Sequence, residues 1–465
     1  MARLLIVSNR VAMPGEHAAR AGGLAIAVRE ALRKYGGMWV GWSGEIVKRP
    51  DNDPGIEFKV QTAGRISVAT LDLTAEENEH YYAGFSNSVL WPLFHYRLGL
   101  MDFKRAYYTG YMAVNERFAE AIARVAEPDD LIWVHDYHFL PLAAALRRRG
   151  LRNRIGFFLH IPFPAPEVLK VVPFHEQLVA DMCHFDLIGF QTESDARAFR
   201  DFIEHEAGGE TGPDGAVFAH GRRARTGVFP VGIETERFAL TAMAAELGPE
   251  TKRLTDSLGA RKLIIGVDRL DYSKGLPLRF DAYSSLLANH KEHRGKVVMM
   301  QIAPTSRNEV RQYRDLRREL EQITGRINGR YAEFDWAPLR YLNRSFSRNS
   351  LAGFYRYARV GLVTPLRDGM NLVAKEFVAA QNPDDPGVLV LSRFAGAVAE
   401  LGGGAKVVNP YDPDGVGEAL HEALVMKLDE RKARYDAMYR VLQANSIVDW
   451  YEKFLTNLRR EISNQ

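Results

Sequence analysis

Apolar positions along the chain fall into short runs rich in β-branched and aromatic residues, each closed by a polar or glycine-containing cluster and followed by a helical pattern. Runs of this kind alternating with helices mark a parallel sheet covered on both faces. In the first half the runs are Leu4 to Val7, Leu131 to Val134, Ile155 to Leu159 and Leu187 to Phe190. The rhythm then starts afresh with Leu263 to Val267, Val297 to Ile302, Val360 to Val363, Val388 to Leu391 and the short Lys406-Val407-Val408. Between the two series, Gly208 to Gly227 is rich in glycine and charge and reads as a loop or hairpin, with a boundary near Gly232. Asp414 to Ile462 is helical with no further strand. The pattern predicts an α/β protein with a first domain over 1–232, a second over 233–440, and a C-terminal helical segment, 441–465, packing back on the first.

Length agrees with that division, since single cores stop growing near about 250–300 residues and this chain has 465. Lys and Arg total 61 against 58 Asp and Glu, a net charge of +3. That is too little for the broad basic face of a nucleic-acid binder, so any preference for anions must come from local placement. The run Arg147-Arg148-Arg149 with Arg152 and Arg154 follows a helix and reads as a solvated, dipole-compensating face, and Gly221-Arg222-Arg223-Ala224-Arg225 reads as surface. One cysteine, Cys183, allows no intrachain disulfide. No stretch reaches the roughly 18 apolar residues of a membrane span, and the N-terminal apolar run is too short for a signal peptide. A cytoplasmic protein with no membrane or nucleic-acid partner is expected, and a homo-oligomer is compatible with the sequence.

Ligands of open parallel sheets bind outside the carboxyl ends of the strands, and here those ends are polar. Ser8-Asn9-Arg10 follows the first run, and the paired glycines of Ala21-Gly22-Gly23-Leu24 open a helix where backbone N–H groups can approach an anion. Two more runs end in His135-Asp136-Tyr137-His138 and in His160-Ile161-Pro162. These imidazoles come with no HExxH and no cysteine ligands, so a carboxylate and an imidazole orienting sugar hydroxyls fit better than a metal site. In the second half, Asp268-Arg269-Leu270-Asp271-Tyr272-Ser273-Lys274 places two cations in one loop, and Thr305-Ser306-Arg307 ends the next run. Arg367-Asp368-Gly369-Met370-Asn371-Leu372 leads into a helix that carries Glu376. A bidentate Arg, a Lys point charge and a helix N-terminus are what a diphosphate needs.

These segments together resemble the trehalose-6-phosphate synthase family of retaining glycosyltransferases. The similarity runs from Arg3 to Asp412 through SNR at Ser8, AGGLA at Ala21, GWSGE at Gly41, SNSVLWPLFHYR at Ser86, VHDYHFLPL at Val134, IGFFLHIPFP at Ile155, RLDYSKGLP at Arg269, QIAPTSR at Gln301 and LVTPLRDGMNLVAKEFVAAQ at Leu362. The resemblance implies a GT-B fold, two doubly wound Rossmann-like domains facing across a cleft. It assigns the glucose 6-phosphate acceptor to Arg10, Trp42, Tyr82, Asp136 and Arg307, with Trp91 bordering the pocket. It assigns the nucleotide sugar to Gly22, Gly23, His160, Arg269, Lys274, Phe346, Asp368, Gly369, Met370, Asn371, Leu372 and Glu376, with Asp136, His160, Arg269 and Lys274 carrying catalysis.

The implied reaction moves glucose from UDP-glucose to glucose 6-phosphate, giving α,α-trehalose 6-phosphate, with no cofactor and no metal. GDP- or ADP-glucose would meet the same phosphate contacts. Rival readings are a glucosylglycerol-phosphate synthase with another phosphorylated acceptor, a relative coupling cyclitols, and a non-catalytic sugar-phosphate sensor. The sensor reading requires a lost cation or a lost Asp368, and all are present.

Overall fold

A computed structural model describes residues 3–11, 23–50, 53, 55–305 and 311–460. Chain contacts divide it into two compact units, one comprising the chain up to Pro230 together with Val448 onward, the other Val231–Ile447.

The first unit is built on a ten-stranded sheet. In chain order its strands are β1 (Leu4–Arg10), β2 (Gly37–Ile46), β3 (Lys59–Ala63), β4 (Ile66–Leu73), β5 (Leu131–His135), β6 (Ile155–Phe158), β7 (Leu187–Phe190), β8 (Glu210–Thr211), β9 (Ala216–Ala219) and β10 (Arg222–Val228). Their spatial order is β3-β4-β2-β1-β5-β6-β7-β10-β9-β8. The segment from β4 to β10 across the middle is parallel, and antiparallel pairs β3/β4 and β8/β9/β10 finish the two edges. β1, β5, β6 and β7 are the four runs read from the sequence. The glycine-rich stretch after Gly208 forms the β8–β9–β10 edge, so Arg222 and Arg223 lie on a strand with exposed side chains.

Helix Ile447–Arg459 covers one face of this sheet. Trp450 and Phe454 lie 5.0 and 4.8 Å, ring to ring, from Trp133 of β5, and Trp450 also meets Phe158 of β6 edge-on. A Cβ at Gly156 or Gly189 would come within 2.8 or 2.7 Å of the Phe454 ring, so β6 and β7 carry glycine where the helix presses down.

The second unit holds a six-stranded, wholly parallel sheet: β11 (Lys262–Val267), β12 (Val297–Ile302), β13 (Leu339–Leu342), β14 (Val360–Val363), β15 (Val388–Ser392) and β16 (Lys406–Val408). The spatial order is β13-β12-β11-β14-β15-β16. Its central strands are buried throughout, as continuous apolar runs between two helical layers should be. No helix among the described residues is long and apolar enough to cross a membrane.

Candidate active site

In the first unit β1, β2 and β5, with the helical turns Asn78–Leu90 and Trp91–Phe94, bring together five of the residues that the resemblance assigns to the acceptor. Arg10 leaves β1 and lays its guanidinium over the Trp42 ring at 4.8 Å. Gly44, at φ +94°, makes room: a Cβ there would fall 2.2 Å from the guanidinium. Trp42 meets Tyr82 edge-on at 5.4 Å, and Tyr82 stacks on His138 at 6.0 Å. His138 packs against Tyr137, and Tyr137 against Trp91 at 5.7 Å. Asp136, immediately before Tyr137, is held at φ +74°, a region that non-glycine residues adopt mainly where surrounding structure enforces it.

Tyr82 rides on Asn78–Leu90, a segment wound as a π-helix. The Trp91 N–H reaches Ser86 O five residues back, and the Asn87 and Ser88 side chains likewise bond the carbonyls of Tyr82 and Ala83. π-helical turns are rare and concentrate at functional sites. Nothing in the apolar periodicity signals this one. Asn87 also accepts from the Tyr137 hydroxyl at 2.9 Å, and Tyr81 donates to Asn9 at 3.0 Å. The helix thereby anchors both strand ends.

His160 stands beside Asp136. Its backbone N–H donates to Asp136 Oδ1 at 3.2 Å, and its Nε2 lies 3.1 Å from His135 Nδ1. Burial pushes the His160 imidazole down to about 3 and lowers His135 well below its ordinary value. Both rings are therefore neutral at physiological pH and act as hydrogen-bonding groups, not cations. Gly23 begins helix Gly23–Tyr35; Gly22 lies outside the described residues.

In the second unit the carboxyl ends form a row. Phe346 follows β13, its ring 5.4 Å from Phe354 and beneath the Arg344 guanidinium. Arg307 follows β12 and lies outside the described residues. Arg269, exposed, and Lys274, nearly buried, follow β11. The Lys274 ammonium pairs with Asp368 after β14, and Asn371 donates to the same carboxylate oxygen at 3.1 Å. Asn371 also caps helix Leu372–Ala380, accepting from Ala374 N–H. Gly369 and Met370 are locked against the turn after β15: Gly396 N–H reaches Asp368 O, Ala397 N–H reaches Met370 O, and a Cβ at Gly396 would fall 1.8 Å from Gly369 O.

One residue that the sequence pattern does not single out organises this row. Arg279, 1 % exposed on helix Leu276–Asn289, pairs with Asp268 and donates to Thr364 Oγ1 at 2.9 Å, Gln301 Oε1 at 2.8 Å and Lys274 O at 3.3 Å. It thus clamps β11, β12 and β14 at their carboxyl ends. The available signal was a lone Arg amid Leu276, Leu278, Phe280 and Tyr283. Glu376, one turn into its helix, has its carboxyl pushed up to about 7 by desolvation, against the opposing pull of Arg348.

Two cations, a capped helix N-terminus and a carboxylate poised near neutrality suit a nucleoside diphosphate. A guanidinium on an aromatic platform, continuous with a carboxylate and a neutral imidazole, suits a phosphorylated sugar.

The chain matches glycosyltransferase family 20 over residues 5–460. A trehalose-6-phosphate synthase of Cronobacter sakazakii is 49% identical over 460 residues, 99% of this chain and 96% of that protein. An α,α-trehalose-phosphate synthase (UDP-forming) from Burkholderia xenovorans, solved in complex with glucose-6-phosphate, superposes with a TM-score of 0.94 at 49% identity, covering 99% of this chain and 100% of that one. An E. coli structure bound with UDP-2-fluoro glucose gives a TM-score of 0.94 at 48% identity with the same coverage. The chain belongs to glycosyltransferase family 20.

Proposed function

We propose that this protein transfers glucose from UDP-glucose to glucose 6-phosphate, producing α,α-trehalose 6-phosphate and UDP. The observation that carries the reading is the Lys274–Asp368–Asn371 lock at the start of helix Leu372–Ala380. It fixes a cation and a helix N-terminus side by side where a diphosphate would leave. The relatives solved with glucose-6-phosphate and with UDP-2-fluoro glucose support the choice of acceptor and donor.

In this reading Arg10 takes the acceptor phosphate, while Trp42, Tyr82 and Trp91 present ring faces to the sugar and Asp136 accepts from its hydroxyls. Glu376 accepts from the ribose, Phe346 lines the base side, and the segment Asp368 to Leu372 borders the diphosphate. The bond from the glucose anomeric carbon to the diphosphate oxygen breaks and a bond to the acceptor oxygen forms on the same face. The acceptor's hydroxyl proton passes to the departing phosphate oxygen, so the α configuration is kept. Arg269, Lys274 and the helix terminus stabilise the charge that builds on the leaving group, the task a metal performs in other transferases. A single buried cysteine, whose thiol is pushed up to about 12 by burial, accords with work in the cytoplasm.

Incubating the purified protein with UDP-, GDP- or ADP-glucose and glucose 6-phosphate, then weighing the products by mass spectrometry, tests the reading. Trehalose 6-phosphate is expected, fastest with UDP-glucose. Transfer only to glycerol 3-phosphate, or no transfer at all, would overturn it.

A further inference from the structure

Two histidines at the carboxyl ends of β5 and β6 share one hydrogen bond whose direction their surroundings decide. His135 closes β5 and is fully buried, while His160 stands two residues beyond β6 and stays partly exposed. In the sheet register His135 sits beside Phe158. Asp136 N–H reaches Phe158 O at 2.8 Å, and His160 N–H in turn reaches Asp136 Oδ1. The backbones that carry the two imidazoles are thereby fixed to each other. The rings lie 5.3 Å apart, with His135 Nδ1 3.1 Å from His160 Nε2.

Burial keeps both rings neutral, so each carries a hydrogen on one of its two nitrogens, and which one is set by the bond the other makes. The contact needs one donor and one acceptor, which leaves two arrangements. In the first, His135 Nδ1–H donates to His160 Nε2; His160 then carries its hydrogen on Nδ1, and His135 Nε2 is a bare lone pair. In the second, His160 Nε2–H donates, its Nδ1 is bare, and His135 holds its hydrogen on Nε2.

The neighbours of His135 Nε2 separate the two. That atom is buried and meets no hydrogen-bond partner. The other rings packed around His135 are Trp133 at 4.4 Å, Trp450 at 6.2 Å and Phe158 at 6.5 Å. The Nε1–H groups of both tryptophans are themselves buried without an acceptor, and an indole nitrogen can only donate. A hydrogen on His135 Nε2 would add a third stranded donor to this corner of the core, whereas a lone pair there lies among groups of the opposite kind. A low-dielectric interior makes that difference count. The first arrangement is favoured. It makes Nδ1 of His160, the ring nitrogen that bonds to none of the described residues, a hydrogen-bond donor beside the Asp136 carboxylate.

We propose that His135 is a positioning residue for glucosyl transfer, holding His160 in the Nδ1–H tautomer so that its ring donates to a sugar hydroxyl oxygen. The ligand in this assignment rests on the function proposed above, and the tautomer rests on the geometry. In acid–base sites the group that orients a catalytic imidazole is commonly a carboxylate. Here it is a second neutral ring, which does not draw a proton onto its partner as a carboxylate would. His160 thus stays an uncharged donor.

Long-range proton–nitrogen correlation spectra of the full-length protein, isotopically labelled in histidine, read the tautomer directly, with His160 identified by the signals lost in His160→Ala. The hydrogen is expected on His160 Nδ1 in the wild type, and on Nε2 or exchanging between the two in His135→Phe. That variant keeps an aromatic ring among Trp133, Phe158 and Trp450 but cannot donate. It should lower kcat for trehalose 6-phosphate formation by about 10–100-fold with the KM for glucose 6-phosphate nearly unchanged. His135→Asn, whose amide nitrogen can take the place of Nδ1 and donate, should recover most of the loss. Because His135 acts through His160, His135→Phe added to His160→Ala should cost nothing further. An Nε2–H tautomer of His160 in the wild type overturns the proposal, as do losses that multiply in the double variant or wild-type turnover in His135→Phe. The wild-type spectrum needs no substitution and decides the matter even if circular dichroism shows His135→Phe to be misfolded. Were the wild type to transfer glucose to a different acceptor, the proposed reaction would fall, while the tautomer and the double variant, assayed on that acceptor, would still decide the role of His135.

Discussion

The strand-end cluster of the first unit is made of rings, whereas that of the second is made of charges. Around Trp42, Tyr82, His138, Tyr137 and Trp91 the contacts are aromatic, the two nearby histidines are neutral, and Arg10 lies on the surface of the stack. Around Lys274 the contacts are ion pairs and charge-assisted hydrogen bonds, with Arg279 buried at the centre. In the proposed reading the contrast follows the chemistry of the two ligands. A monosaccharide offers C–H faces and neutral hydroxyls, which ring walls and single hydrogen bonds discriminate. A diphosphate offers concentrated charge, which rewards cations already fixed in place, because no reorganisation is then needed as charge builds on the leaving oxygen.

The sharpest way to break this contrast is to cut the charge lock from beneath. Arg279→Met leaves Asp268 buried without its partner and should cost about 3–5 kcal/mol of stability, read from the denaturant midpoint of the second unit. A loss below about 1 kcal/mol would mean that Arg279 is not the clamp its geometry indicates.

Next in size, Lys274→Ala should lower kcat by about 10²–10³-fold while leaving the KM for glucose 6-phosphate near its wild-type value. Unchanged turnover would remove Lys274 from the leaving-group site. On the aromatic side, Arg10→Ala loses hydrogen bonds to a charged group, worth about 1.5–3 kcal/mol. The KM for glucose 6-phosphate should rise about 10–100-fold, with the KM for UDP-glucose unmoved. If both constants rose together, the division of labour between the two clusters would fail.

The smallest effect concerns Glu376, whose carboxyl is raised from 4.5 to about 7. The folded state holds this proton more tightly than the unfolded chain. Its contribution to stability is therefore fully present below pH about 4.5 and is lost as pH rises through about 7. In the proposed reading Glu376 accepts from the ribose in its ionised form, so the KM for UDP-glucose should fall a few-fold as pH climbs from about 6 to about 8. Glu376→Gln should flatten that dependence, and a slope that persists in the variant assigns it to another group.

Much of the sheet architecture was legible because buried parallel strands are uninterrupted apolar runs, as in Val297 to Ile302 or Val388 to Leu391. β2 is not legible in the sequence because Gly37, Gly41 and Gly44 punctuate it. Those glycines answer to neighbours: a Cβ at Gly41 would fall 2.2 Å from Ser8 O, and one at Gly44 would strike Arg10. The polar strand ends could be read because ligand sites in such sheets collect there. The π-helix and the Arg279 clamp could not, since one depends on backbone hydrogen bonding that leaves no period in the side chains, and the other joins residues from three separate strands. His138 stands within the HDYH segment, yet its place between Tyr82 and Tyr137 is a tertiary fact.

Phe454, seated on Gly156 and Gly189, has a consequence for how the molecule is made. A ribosome delivers β5 to β7 long before the segment that shelters their Trp133 and Phe158 side chains, and the whole second unit emerges in between. That unit can fold as soon as it is synthesised, whereas the earlier-born sheet stays half-clothed until translation nears its end. Its nascent form should therefore be the species that engages chaperones.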